Sequence, residues 1–281
     1  MRWQGQRESS NVEDARGRGG SGRLIGGGIG GVVLVIIIAL ITGKNPAALM
    51  SQLQDNSPSM EQCSSESMNQ ESAKFVRVIL ASTEDVWTTL FRNMGKEYQL
   101  PTLQIFCGTT QSACGRGAAA MGPFYCPGDH KAYIDLAFYE ELQNRFKAPG
   151  DFAMAYVVAH EIGHHVQNLL GISGKVHQQQ QGLDEAAANK LSVALELQAD
   201  FLAGVWAHHA QKAKNWLQDG DLEEALNAAN AIGDDKLQQE SQGYVVPDAF
   251  THGTSQQRIA WFKKGFETGD IGQGDTFNAA L

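Results

Sequence analysis

Residues 155–170, "AYVVAHEIGHHVQNLL", set three histidines and one glutamate into an apolar run. Polar groups beside a core are costly unless something pairs with them, so this set asks for a use. His160, Glu161 and His164 form His-Glu-x-x-His. On a helix, residues four apart differ by about 40° around the axis, so both imidazoles can reach one ion. Glu161 sits beside a ligand without being needed as one, which places it to act as a base on a water molecule. His165 falls about 140° from His160 and cannot reach the same ion from this helix. Its expected role is a structural hydrogen bond.

Two histidines do not complete a catalytic zinc site, which takes about three protein donors and leaves one position open. The segment "ALELQADFLAGVWA" supplies the third: Glu196 and Asp200 are four apart and share a face with Ala203 and Ala207, small enough to let two helices lie close. Glu196 is the expected third ligand. Asp200, one turn on, is placed to accept the second ring N–H of a ligand histidine and fix its tautomer. A closed structural zinc site would need a fourth protein ligand, and the sequence offers no obvious one nearby. His130, His177, His208 and His209 lack partners at ligand spacing and are expected on the surface or in helix packing.

The elements that must carry these residues follow from periodicity. "SAKFVRVILASTEDVWTTLFRNMG" has helical spacing, and "LPTLQIFC" reads as a strand. In the glycine-rich segment that follows, "PFYC" and "AYIDL" are strand-like and flank the turn "CPGDHK". Helices are expected over 139–146, 151–170, 184–214, 221–240 and 255–266, with "GKVHQQQQG" as a loop between the second and third. The fold class is α+β, the helices mostly at the C-terminal end.

The chain has 281 residues, 42% hydrophobic and 19% charged, a globular composition with one unusual end. Residues 1–44 hold six Lys and Arg against three acids, leaving 16 basic and 28 acidic residues, a formal charge of −12, in the remainder. An acidic body argues against nucleic acid as a partner. Residues 24–42, "LIGGGIGGVVLVIIIALIT", contain no charge. As a helix they would span about 28 Å, close to the hydrocarbon thickness of a bilayer. Five arginines precede this stretch, which predicts a single-pass anchor with a cytoplasmic N-terminus and the body periplasmic or extracellular. Gly26 with Gly30 and Gly27 with Gly31 have the GxxxG spacing through which such helices can self-associate. The expected domains are a disordered basic tail (1–23), a transmembrane helix (24–42), a polar linker (43–70) and a folded domain (71–281). Cys63, Cys107, Cys114 and Cys126 all follow the anchor and suit two disulfides, and spacing alone selects none of the three connectivities.

The pair of motifs, His160 to His164 and then Glu196 to Asp200, resembles the gluzincin metallopeptidases, in which a helical glutamate is the third zinc ligand. The "ExxAD" form is similar to membrane-associated zinc endopeptidases of the Ste24 and HtpX kind. More closely, the basic tail, the single apolar segment, "GPFYCP", "HEIGHHVQ", "ELQAD" and "THGTSQQR" together resemble the bacterial neutral zinc metallopeptidase family typified by YpfJ, over most of the chain. This resemblance implies a zincin-like domain behind one transmembrane helix, one zinc ion and a peptide or protein substrate. It also makes Cys114–Cys126 the preferred disulfide, leaving Cys63 with Cys107. The segment "THGTSQQRI" is similar to the "THPPxxxRI" element of Ste24-like enzymes, which implies a transition-state role for His252 and a lesser one for Arg258. Gly253 departs from that element where it has its first proline.

The expected function is an inner-membrane zinc endopeptidase acting on exported proteins, with substrate added as a strand along residues 118–126. The competing reading is a zinc-containing, membrane-tethered binding or chaperone module without catalysis. A binding-only protein could dispense with Glu161, which this chain retains.

Overall fold

The computed structural model describes residues 1–16, 66–118 and 121–279. Helix α1 (Glu66–Asn93) buries Phe75, Val78, Ile79 and Val86, the stripe its spacing predicts. Strands β1 (Val12–Asp14), β2 (Thr102–Phe106), β5 (Phe124–Cys126) and β6 (Lys131–Asp135) form one sheet in the order β1-β2-β6-β5. The first three strands of that order run parallel, and β5 is antiparallel to β6. Between β2 and β5 lies a hairpin of β3 (Thr109–Ser112) and β4 (Gly115–Ala118). Cys114 in its turn is bonded to Cys126 at the end of β5. Cys107 is also disulfide-bonded, and its expected partner, Cys63, lies outside the described residues.

The helices that follow are α2 (Ala137–Asn144), α3 (Asp151–Leu169), α4 (Ile172–Gln180), α5 (Glu185–Lys214), α6 (Asp221–Ala231), α7 (Asp234–Gln242) and α8 (Ser255–Thr268). Helix α3 was expected to have one buried and one chemical face, but every residue from Phe152 to Gly163 is buried. A helix apolar on nearly all sides goes to the middle of the protein, and α3 packs against α1, α5 and α6. Two crossings bring backbones unusually close. A side chain on Gly163 would meet the Ala199 carbonyl oxygen at 2.9 Å, and one on Gly204 or Gly265 would strike the facing backbone of α8 or α5 at 2.1 or 2.0 Å. Glycine at these points lets α5 lie directly against both α3 and α8.

Two local expectations change. The glutamine-rich stretch after residue 171 is helical rather than a loop, because nothing breaks it before Gly182, and Gln180 ties it to α5 through Ala188 O and Ser192 Oγ. The helix expected over 221–240 is two helices, α6 and α7, parted at Gly233, where a side chain would meet Ser255 N at 2.4 Å.

The N-terminal end requires a larger correction. Residues 1–16 are not a disordered tail: Trp3 is buried, and β1 pairs in parallel register with β2, Val12 opposite Leu103. A strand cannot pair with a sheet across a bilayer, so the N-terminal residues and the body share one compartment. The expected single-pass topology, cytoplasmic N-terminus and periplasmic or extracellular domain, is therefore withdrawn. Among the described residues no helix is long and apolar enough to cross a membrane. The stretch expected as the anchor, 24–42 with its GxxxG glycines, lies outside the described residues.

Candidate metal centre

Helix α3 brings His160, Glu161 and His164 to the wall of a cavity of about 560 Å3, and α5 places Glu196 in the same wall. Glu196 Oε2 lies 3.1 Å from His160 Nε2, and its Oε1 lies 3.4 Å from His164 Nε2. One donor atom from each of the three residues falls within 4.8 Å of the others. In a tetrahedral zinc site with bonds of about 2.0–2.1 Å, neighbouring donors stand about 3.3 Å apart. The two Glu196 separations are already of that size.

Each imidazole is turned by a partner on its other nitrogen. His160 Nδ1–H donates to Asp200 Oδ1 at 2.8 Å, and His164 Nδ1–H donates to Gln167 Oε1 at 2.9 Å. Both Nε2 atoms are thereby left facing Glu196, the second-sphere arrangement that fixes tautomer and ring orientation at metal sites. Asp200 is wholly buried and also accepts from Tyr156 OH at 2.6 Å and from Arg258 through Nε at 2.9 Å and Nη2 at 3.0 Å. Gln167 is held in turn by donating to Leu195 O at 2.7 Å.

The electrostatics favour a cation. Burial works against the charged form of His160, yet Asp200 and Glu196 raise its ring to about 10. Burial would raise the Asp200 carboxyl, but Arg258 and His160 hold it at about 2. Burial likewise opposes ionised Glu196, and the two histidines hold it well below the usual carboxylate range. The same negative charge favours a cation at this place, and a metal ion binding there would displace the proton from the imidazole. Two imidazoles and one carboxylate, each correctly turned, are donors suited to zinc.

The family described as "Putative neutral zinc metallopeptidase" matches residues 1–277. The chain belongs to this family. It is 53% identical over 290 residues to YpfJ of Escherichia coli, covering 100% of both chains. It is 38% identical over 259 residues to Rv2575 of Mycobacterium tuberculosis and to Mb2605 of Mycobacterium bovis, covering 86% of each chain. No solved structure matches it. The expected zincin-like classification accordingly gains no support from a known fold, and the α+β description stands alone. For a member of a zinc metallopeptidase family, the metal implied for His160, His164 and Glu196 is zinc.

His252 lines the same cavity from the loop before α8, its side chain half exposed. Asp234 at the start of α7 organises that loop. Its Oδ2 accepts the backbone N–H groups of Thr251, His252 and Gly253 at 2.7, 2.6 and 3.2 Å, and its Oδ1 lies 3.2 Å from His252 Nδ1. Burial pulls the His252 ring down and Asp234 pushes it up, with a net rise. Gly253 has φ +91°, which proline cannot adopt. The departure from the proline-containing element therefore goes with a differently shaped loop.

His165 points away from this site. Its Nδ1 accepts from Tyr125 OH at 2.9 Å and its Nε2–H donates to Gln99 O at 2.7 Å, and burial lowers the ring to about 4. His208 and His209 contact the carbonyls of Phe266 and Gly269 at the end of α8. Sequence reasoning missed Tyr156, Gln167 and Asp234. The first two stand four before His160 and three after His164, so helical spacing could have found them. Asp234 meets His252 only through tertiary packing and left no local signal. Arg258, expected as a lesser transition-state candidate, is instead committed to Asp200.

Proposed function

We propose that this protein is a zinc-dependent endopeptidase. The observation that carries the reading is a three-donor site, His160, His164 and Glu196, whose open side is a substrate-sized cavity that Glu161 also lines. One zinc ion bound there would polarise the scissile carbonyl and lower the pKa of water toward about 7. Glu161 accepts the proton of the attacking water and delivers it to the leaving nitrogen. Burial raises the Glu161 carboxyl, with His160 and His164 opposing, which moves it toward the range useful in a general base.

His252, positioned by Asp234, donates to the oxygen that becomes negative as the carbonyl is attacked. The peptide lies along β5, whose outer edge pairs with no strand among the described residues and whose Phe124 and Tyr125 line the cavity. Main-chain pairing fixes register, and the apolar wall of Phe124, Phe138, Phe146 and Val157 receives side chains.

Replacing Glu161 with Gln keeps the size of the side chain and removes the base. The expected result is unchanged zinc content with turnover of a peptide library reduced on the order of 10²- to 10⁴-fold. Equal cleavage by both proteins would sink the assignment of Glu161. Zinc binding without cleavage in the wild type would favour the binding-module reading.

A further inference from the structure

Residues 1–16 contact the body as a bound peptide contacts a receptor. Trp3 packs edge-on against Phe75 of α1, ring centroids 5.3 Å apart, and its Nε1–H donates to Asp151 Oδ2 at 2.9 Å. Ser9 Oγ and Asn11 Nδ2 both donate to the buried Glu84 Oε1, at 2.6 and 2.7 Å. Arg7 reaches Ala81 O, Glu84 and Asp85 at 2.8, 3.0 and 2.8 Å. Backbone pairing continues past Ser9 N to Arg77 O at 3.0 Å and into the β1–β2 ladder. Met1 N donates to Asp221 Oδ1 at 3.0 Å and Arg2 N to Trp216 O at 2.8 Å, so the receptor side is a groove of α1, β2, the first turn of α3 and the segment joining α5 to α6, made entirely of residues after position 66.

Asp151 is where this groove meets the metal centre. It is the first residue of α3 and receives Tyr139 OH as well as Trp3. A carboxylate in a helix's first turn stabilises the exposed N–H groups there. His160 and His164 lie further along the same rigid helix, so what fixes its first turn also fixes the direction in which they point.

We propose that residues 1–16 are a peptide ligand held in cis, and that their occupancy of this groove positions α3 and so the metal-binding histidines. Two consequences follow. The chain can be cut within residues 17–65 without losing the N-terminal piece, and losing that piece weakens zinc binding.

The experiment places a specific protease site within residues 17–65 of the full chain, cleaves it, and follows the fragments by native gel filtration and mass spectrometry. The N-terminal fragment should co-elute with the body and leave only in denaturant. Trp3→Ala in the cleaved protein should release it, lower Tm by roughly 10 °C, speed hydrogen exchange over residues 151–156 and weaken zinc about tenfold. Added synthetic peptide of residues 1–16 should restore all three, and the milder Ser9→Ala should give the same pattern reduced in size should the tryptophan variant fold poorly. A fragment that separates on cleavage while Tm and zinc affinity stay put would overturn the proposal. A fragment whose release changes stability but neither exchange in α3 nor zinc affinity would overturn the positioning role. These readouts are binding and exchange, so they are independent of whether the protein cleaves peptides.

Discussion

Asp200 and Glu84 are both buried carboxylates serving three residues each, one beside the candidate metal centre and the other beneath the N-terminal segment. They differ in where the countercharge sits. Asp200 is met by Arg258, itself buried, whereas Glu84 is met by Arg7, whose side chain is 48% exposed. A pair enclosed on both sides costs much to break, because the survivor is left charged in a poor solvent. A pair with one member in water is screened, so the two neutral donors, Ser9 and Asn11, do most of the holding at Glu84. One cluster turns an imidazole toward Glu196 at the candidate metal site, and the other ties down a length of chain.

The sharpest way to break the comparison is Asp200→Ala. It strands Arg258 and frees His160, and should cost about 3–5 kcal/mol in denaturant unfolding together with a 10- to 100-fold loss of zinc affinity. Unchanged stability would show that Arg258 finds water. Glu84→Ala should cost less, about 2 kcal/mol, with the loss concentrated in protection of residues 1–16 from exchange. Equal losses for the two variants would erase the distinction drawn from exposure. Gln167→Leu leaves the Asp200 cluster intact and releases His164 together with Leu195 O and Gln198 Oε1, so zinc should weaken about tenfold and unfolding should cost about 1 kcal/mol. A larger effect than that of Asp200→Ala would reverse the ranking of the two orienting partners.

The smallest effect belongs to a group outside both clusters. The His165 ring is held near 4 by burial, below its ordinary 6.5. With the folded value depressed, the unfolded chain binds more protons between these limits. The stabilisation is therefore complete above about pH 6.5 and is lost as pH falls toward 4. From pH 7 to 5.5 this group should lose about 1 kcal/mol, read as the difference between wild type and His165→Gln in the change of Tm over that range.

The metal site was legible in the sequence because helical geometry converts spacing into proximity. His160, His164, Glu196 and Asp200 can be assigned to faces from spacing alone, and the α+β class follows from the order of periodic segments. What stayed hidden came from contacts between distant segments. Arg258 reaches Asp200 only because Gly204 and Gly265 let α8 lie on α5. Residues 1–16 read as disordered because arginine, glycine and serine dominate the first 23 positions, and Trp3 and Val12 are too few to bury a core by themselves. They fold by borrowing the surface of α1 and the edge of β2, which no local pattern announces.

Gly163, in the middle of the metal-binding motif, faces the Ala199 backbone with room for a hydrogen atom and no more. The gap between the two helices that bear the donors is thus a fixed mechanical dimension, set by main chain against main chain rather than by adjustable side chains. Any side chain at position 163 would have to part these two buried helices, and with them His160 and His164 from Glu196.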